Sequence, residues 1–172
     1  MRRPVDGARV RDLMRALGSA ADAPGRVYFT GGATAVLEGW RESTVDVDLK
    51  WMPDLDALYR ALPTLKEELE INLELAAPSD FIPEVPGWEE RSRFIAQEGR
   101  LSFFHYDHYA QVLAKIERGH ERDLADVQAM LDRGLVDRTR LKELFEAIAP
   151  QLYRFPAIDP RSFRAAVERA VR

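Results

Sequence analysis

Between Val45 and Leu49 the chain alternates strictly, as Val45-Asp46-Val47-Asp48-Leu49. Successive side chains of a strand point to opposite faces. The run therefore predicts a strand with Val45, Val47 and Leu49 facing a core and both carboxylates on the open face. A chain holding such a strand has to build a sheet covered on one side. Ile71-Asn72-Leu73-Glu74-Leu75 alternates in the same way, and Glu74 has the parity of the two aspartates. Val27-Tyr28-Phe29-Thr30, bounded by Gly25 and by Gly31-Gly32, predicts a buried strand. Arg93 to Ala96, Gly99, and Leu101 to Phe104 predict a hairpin, which brings the strands to four or five.

Helical spacing surrounds these strands. Val10, Leu13, Met14 and Leu17 recur at helical intervals and predict a helix over 8–20. Residues 33–38 are good helix formers. Leu55, Leu58, Tyr59, Leu62, Leu65 and Leu69 predict a helix opened by Pro53-Asp54, which Pro63 is expected to kink or divide. Pro78, Pro83, Pro86 and Gly87 predict a surface loop over 78–90. A helical pattern runs from Asp107 to about Leu131, with Gly119 as a candidate break, and further helices are expected near 138–148 and 160–171. The predicted fold is α/β (α+β): a mixed sheet of four or five strands flanked by helices, followed by a C-terminal helical tail. The expected organisation is a single domain over 1–172, with a sheet core at 26–106 and the tail, 107–172, packed on it.

Composition narrows the class. Hydrophobic residues make up 46% of the 172 and charged residues 31%, which excludes a disordered or low-complexity chain. With no Cys there is no disulfide scaffold, thiolate zinc site or cysteine nucleophile. The net charge of −4 argues against coating nucleic acid through bulk charge. No apolar run reaches the ~18 residues of a membrane span, and no signal-peptide pattern opens the chain, so no membrane partner is expected and the cytoplasm is the expected location.

The chemistry concentrates on the polar strand face. Asp46 and Asp48, side by side, repel unless a cation lies between them. Mg2+ suits this, because it takes one or two carboxylates together with water and phosphate oxygens. A solvated edge pair is the plain alternative. Asp54-Leu55-Asp56 has the same spacing but precedes a helix, where it reads as an N-cap and first turn. What separates Asp46 and Asp48 from that pair is Thr30-Gly31-Gly32, a strand-to-helix turn whose missing side chains let a phosphate approach backbone N–H groups. No Lys-Ser/Thr follows the glycines, so this is not a Walker A loop. Residues 33–45 leave room for one helix before the acidic strand. Glu74 is a candidate third carboxylate, in competition with Glu70, Asp80 and a plain solvent-facing role.

Phe29-Thr30-Gly31-Gly32-Ala33-Thr34-Ala35 followed by Arg41-Glu42-Ser43-Thr44-Val45-Asp46-Val47-Asp48-Leu49 resembles the active-site signature of the DNA polymerase beta-like nucleotidyltransferase superfamily. Within it, the chain is similar over about residues 26–130 to small bacterial nucleotidyltransferase-like proteins related to toxin and abortive-infection transferases. The resemblance implies a nucleotidyltransferase-like sheet and transfer of a nucleoside monophosphate from NTP to a hydroxyl on RNA, protein or a small molecule. It places the triphosphate on Thr30, Gly31 and Gly32, the metal, Mg2+ or Mn2+, on Asp46 and Asp48, and assistance to the attacking hydroxyl on Glu74. Arg41 corresponds to an Arg that often stands one residue closer to the D-x-D strand. Asn72 shares the polar face with Glu74.

Relatives also carry a Lys and an Arg-Asp pair on the helix after the sheet, which resemble Lys115 and Arg122-Asp123. The resemblance assigns Lys115 to phosphate, with Arg122 and Asp123 in support; a solvated face of ordinary ion pairs is the competing reading. On one continuous helix, ~100° per residue brings Lys115, Arg122 and Asp126 within about 40° of one another. Asp123 would fall in the apolar stripe of Val112, Ile116, Val127 and Leu131, where it requires an Arg neighbour. A catalytically idle relative, serving as a binding module beside a cognate antitoxin or toxin, is the alternative reading. A metalloenzyme built on His105, His108 and His120 is weaker still, since their spacing matches no ligand motif and Asp107 reads as a helix cap. Trp40, Trp51 and Trp88 read as buried anchors before base-stacking residues.

Overall fold

A computed structural model describes residues 2–172. The chain forms two compact units, one made of residues up to Ala77 together with Arg93–His105, the other of Pro78–Ser92 together with Tyr106–Arg172. Helix α1 (Gly7–Ala20) belongs with the sheet, and the 78–92 segment belongs with the later helices.

The first unit is a five-stranded mixed sheet, in agreement with the predicted fold class. Its strands are β1 (Gly25–Thr30), β2 (Asp46–Met52), β3 (Asn72–Leu75), β4 (Arg93–Glu98) and β5 (Leu101–His105), arranged in the order β3-β2-β1-β5-β4. β1 runs antiparallel to β2 and parallel to β5, while β2 and β3 are parallel. β4 and β5 form the expected antiparallel hairpin, with an irregularity between Phe94 and Ala96. One sheet face buries Val27, Phe29, Val47, Leu49, Trp51, Leu73, Leu101 and Phe103. Against it pack Val10, Leu13, Met14 and Leu17 of α1 and Leu58 and Leu65 of α3 (Asp56–Leu69). Each large aliphatic side chain so buried contributes roughly 1.5–3 kcal/mol.

Several local expectations are corrected. Val45 precedes β2 and is 54% exposed, so the core-facing row begins at Val47. Pro63 lies inside a continuous α3. Its ring removes one backbone donor and crowds the preceding turn, yet the helix runs on to Leu69 with Leu58 and Leu65 buried on either side of it. The N-cap of α3 is Leu55, with Asp56 in the first turn, while Asp54 accepts a 3.0 Å hydrogen bond from the Tyr59 hydroxyl.

The second unit is helical. The 78–90 segment is not a plain surface loop: Ile82, Val85 and Trp88 are buried in it, and it carries a 3-10 turn at Pro78–Asp80 and the short helix α4 (Trp88–Arg91). The Trp88 and Tyr106 rings stack at 4.4 Å, nearly parallel, and Arg91 pairs with buried Asp107 at 2.7 Å. The expected long helix is two, α5 (His108–Arg118) and α6 (Glu121–Asp132), separated at Gly119, whose φ of +69° is left-handed and open to glycine at little strain. Asp107 caps α5 as expected, accepting from the backbone N–H groups of Tyr109 and Ala110. Helices α7 (Arg138–Ile148) and α8 (Pro160–Ala170) complete the unit, each capped by the aspartate before it. No helix among the described residues is long and apolar enough to cross a membrane.

Candidate active site

β1 ends at Thr30, and the chain turns through Gly31 into α2 (Gly32–Glu38). Gly31 has φ +62° and ψ −130°, a conformation reserved in practice for glycine. A Cβ placed on it would lie 3.3 Å from Asp48 Oδ2, so the Asp48 carboxylate rests against the bare Gly31 backbone. Gly32 is confined differently. A Cβ there would stand 2.0 Å from Thr44 Oγ1.

Thr44 ties the two halves of the site together. Its hydroxyl donates to the Asp46 carbonyl at 3.0 Å, its backbone exchanges two hydrogen bonds with Val5, and its side chain fills the space left by Gly32. The residue therefore sets both the start of the acidic strand and its distance from the glycine turn. Nothing in its type or spacing marks this role in the sequence.

The sheet register aligns the polar row. Thr30 is the partner of Asp48 across β1 and β2, Asp48 is the partner of Glu74 across β2 and β3, and Asp46 is the partner of Asn72. Paired residues of neighbouring strands share a face, so Thr30, Asp48 and Glu74 form one line across three strands. Thr30 is buried, Asp48 half-buried, and Asp46 and Glu74 exposed. Lys50, two residues beyond Asp48 and opposite Tyr28, lies on this same face. It continues the Asp46-Asp48 parity, a signal present in the sequence.

Among the described residues no group of three or more His, Cys, Asp or Glu is gathered to hold a metal ion. Asp46, Asp48 and Glu74 thus share a face without forming a three-carboxylate cage. Two carboxylates beside a glycine turn are a donor set that would suit Mg2+ together with water and phosphate oxygens.

The other expected residues lie outside this row. Arg41 is half-buried just beyond α2, its backbone N–H bonded to the Ala35 carbonyl. Arg122 is exposed on α6. Because α5 and α6 are separate helices, the common face drawn through Lys115, Arg122 and Asp126 does not exist. Lys115 is buried in the helical unit, its Nζ 2.7 Å from Asp126 and 3.7 Å from Asp123. Asp123 has the arginine neighbour its burial demands, and it is Arg118, whose Nε donates at 2.7 Å. Burial acts to raise the Asp123 pKa, but the Arg118 hydrogen bonds and charge, with Lys115 and the His120 N–H, outweigh it and hold the carboxyl below the usual range. Trp51 and Trp88 are buried, in keeping with anchoring roles.

The chain is thus an α/β protein in which a mixed sheet carries a positive-φ glycine turn with the D-x-D strand resting against it. A family model described as "Nucleotidyltransferase of unknown function (DUF6036)" matches residues 8–166, and the chain belongs to that family. No curated protein matches the chain. No solved structure matches it either.

Proposed function

We propose that the protein moves a nucleoside monophosphate from an NTP to an acceptor hydroxyl, with the Gly31-Gly32 turn receiving the triphosphate and Asp46 and Asp48 holding Mg2+, as the polymerase beta-like resemblance implies. The observation that carries this reading is the seating of Asp48 Oδ2 against Gly31, which puts a carboxylate beside a turn with no side chain to exclude a phosphate. Held by Asp46 and Asp48, Mg2+ would supply positive charge to offset that of the phosphates and the leaving oxygen. Thr30 and the turn amides orient the triphosphate by hydrogen bonds. Glu74, in register with Asp48, takes the proton of the acceptor hydroxyl as its oxygen bonds to the α-phosphorus. The α–β bridging P–O bond breaks, and pyrophosphate leaves. Lys115 takes no part in the phosphate contacts, since Asp126 and Asp123 already use its charge.

Calorimetric titration with Mg2+ and each NTP, comparing the wild type with Asp46→Asn/Asp48→Asn, tests the assignment. Loss of even a supporting group around a metal lowers affinity about 10–100-fold, so the double variant is expected to lose at least that much. Equal heats for the two proteins would sink the reading.

A further inference from the structure

His105 ends β5 on the core-facing side, as the register partner of Phe29, and is 6% exposed. Its Nδ1 lies 3.1 Å from Thr34 Oγ1, and its Nε2 lies 3.4 Å from Glu38 Oε1. Thr34 stands in the first turn of α2 and Glu38 is the last residue of that helix. One imidazole therefore touches both ends of the helix that the glycine turn begins.

The two contacts of the ring, a hydrogen bond to Thr34 and an ion-pair contact to Glu38, bear on its protonation. The Thr34 hydroxyl donates its single proton to the Phe29 carbonyl at 3.3 Å, which leaves Oγ1 to accept from Nδ1–H. On the other side Nε2 faces a carboxylate, which can only accept. Both ring nitrogens meet acceptors, the arrangement of an imidazolium. Charges facing the ring include Glu38 on α2 and Arg93, the exposed register partner on β4. β1 presents Phe29 to the ring, and α1 turns only apolar side chains and Gly18 inward. Glu38, in direct contact, favours the cation; Arg93 opposes it from the exposed edge.

We propose that His105 is a positioning residue, held as an imidazolium that straps both ends of α2 to the end of β5 and so fixes the Gly31-Gly32 turn against Asp48. Its nucleotide role rests on the function proposed above; its protonation does not.

The chain has three histidines, so long-range 1H–15N NMR of the imidazoles reads the state directly, with His105 assigned by its loss in His105→Gln. At about pH 8, well above the ordinary His value of ~6.5, the expected result is two protonated nitrogens on His105. A neutral ring at that pH, with Nδ1 accepting from Thr34, overturns the strap. The second readout is MgATP affinity against pH. In the wild type it is expected to fall roughly tenfold as pH rises past the point where His105 loses its proton. The fall moves to lower pH in Glu38→Gln and disappears in His105→Gln. A wild-type affinity that is flat across that point overturns the positioning role. Absence of triphosphate binding at every pH removes the nucleotide role together with the proposed function, whereas the strap stands or falls on the imidazole shifts alone.

Discussion

At Gly32 a methyl group would stand 2.0 Å from the Thr44 hydroxyl oxygen and 2.6 Å from Thr44 Cβ. Thr44 has little freedom to retreat, since its backbone is bonded on both sides to Val5 and its hydroxyl to the Asp46 carbonyl. Gly32→Ala is therefore expected to destabilise the fold by about 1–3 kcal/mol, the usual effect of overpacking, read as a lower urea midpoint at unchanged slope. An unchanged midpoint would show that Thr44 yields freely and sets no distance. Gly31 is constrained by its backbone angles and by the Asp48 carboxylate instead. At this scale the sequence showed that two glycines stand at a turn. It did not show that each answers to a different neighbour, because both neighbours, Thr44 just before β2 and Asp48 within it, lie more than ten residues further along the chain.

α5 and α6 are joined by charge as well as by apolar contact. Lys115 on α5 reaches Asp126 and Asp123 on α6, and Arg118 closes over Asp123 from the end of α5. The folded Asp123 pKa lies below its unfolded value of about 3.9. Its contribution to stability is then fully present above that value and is lost as pH falls through the folded pKa, because the unfolded chain binds the proton first. Asp123→Asn is expected to lose roughly 1.5–3 kcal/mol at neutral pH, as for hydrogen bonds to charged groups. It is also expected to flatten the acid limb of the stability curve below about pH 4. Parallel acid limbs for wild type and variant would count against this account. The sequence placed Asp123 in an apolar stripe and called for an arginine; the break at Gly119 decided that the arginine is Arg118.

Across the whole chain, the 78–92 segment leaves the sheet unit between β3 and β4 and joins the helical unit. Trp88 stacked on Tyr106 and Arg91 paired with Asp107 hold it there. Trp88→Ala is expected to cost about 3–5 kcal/mol and to speed amide exchange in α5 more than in β1 and β2. Equal acceleration in both units would show that the segment is no more part of one than of the other. The amino-acid sequence by itself determined the strands, the parity of Asp46, Asp48 and Glu74, the glycine turn and the Asp107 cap of α5. Each of these follows from residues a few positions apart, and the periods of strand and helix carry that information. Only the tertiary structure decided that Asp48 lies against Gly31, that Thr44 spaces the turn from the acidic strand, that His105 meets both ends of α2, and that Lys115 is spent on Asp126 and Asp123. Those contacts join residues distant in the chain, and strand order and register, which no local pattern encodes, bring them together.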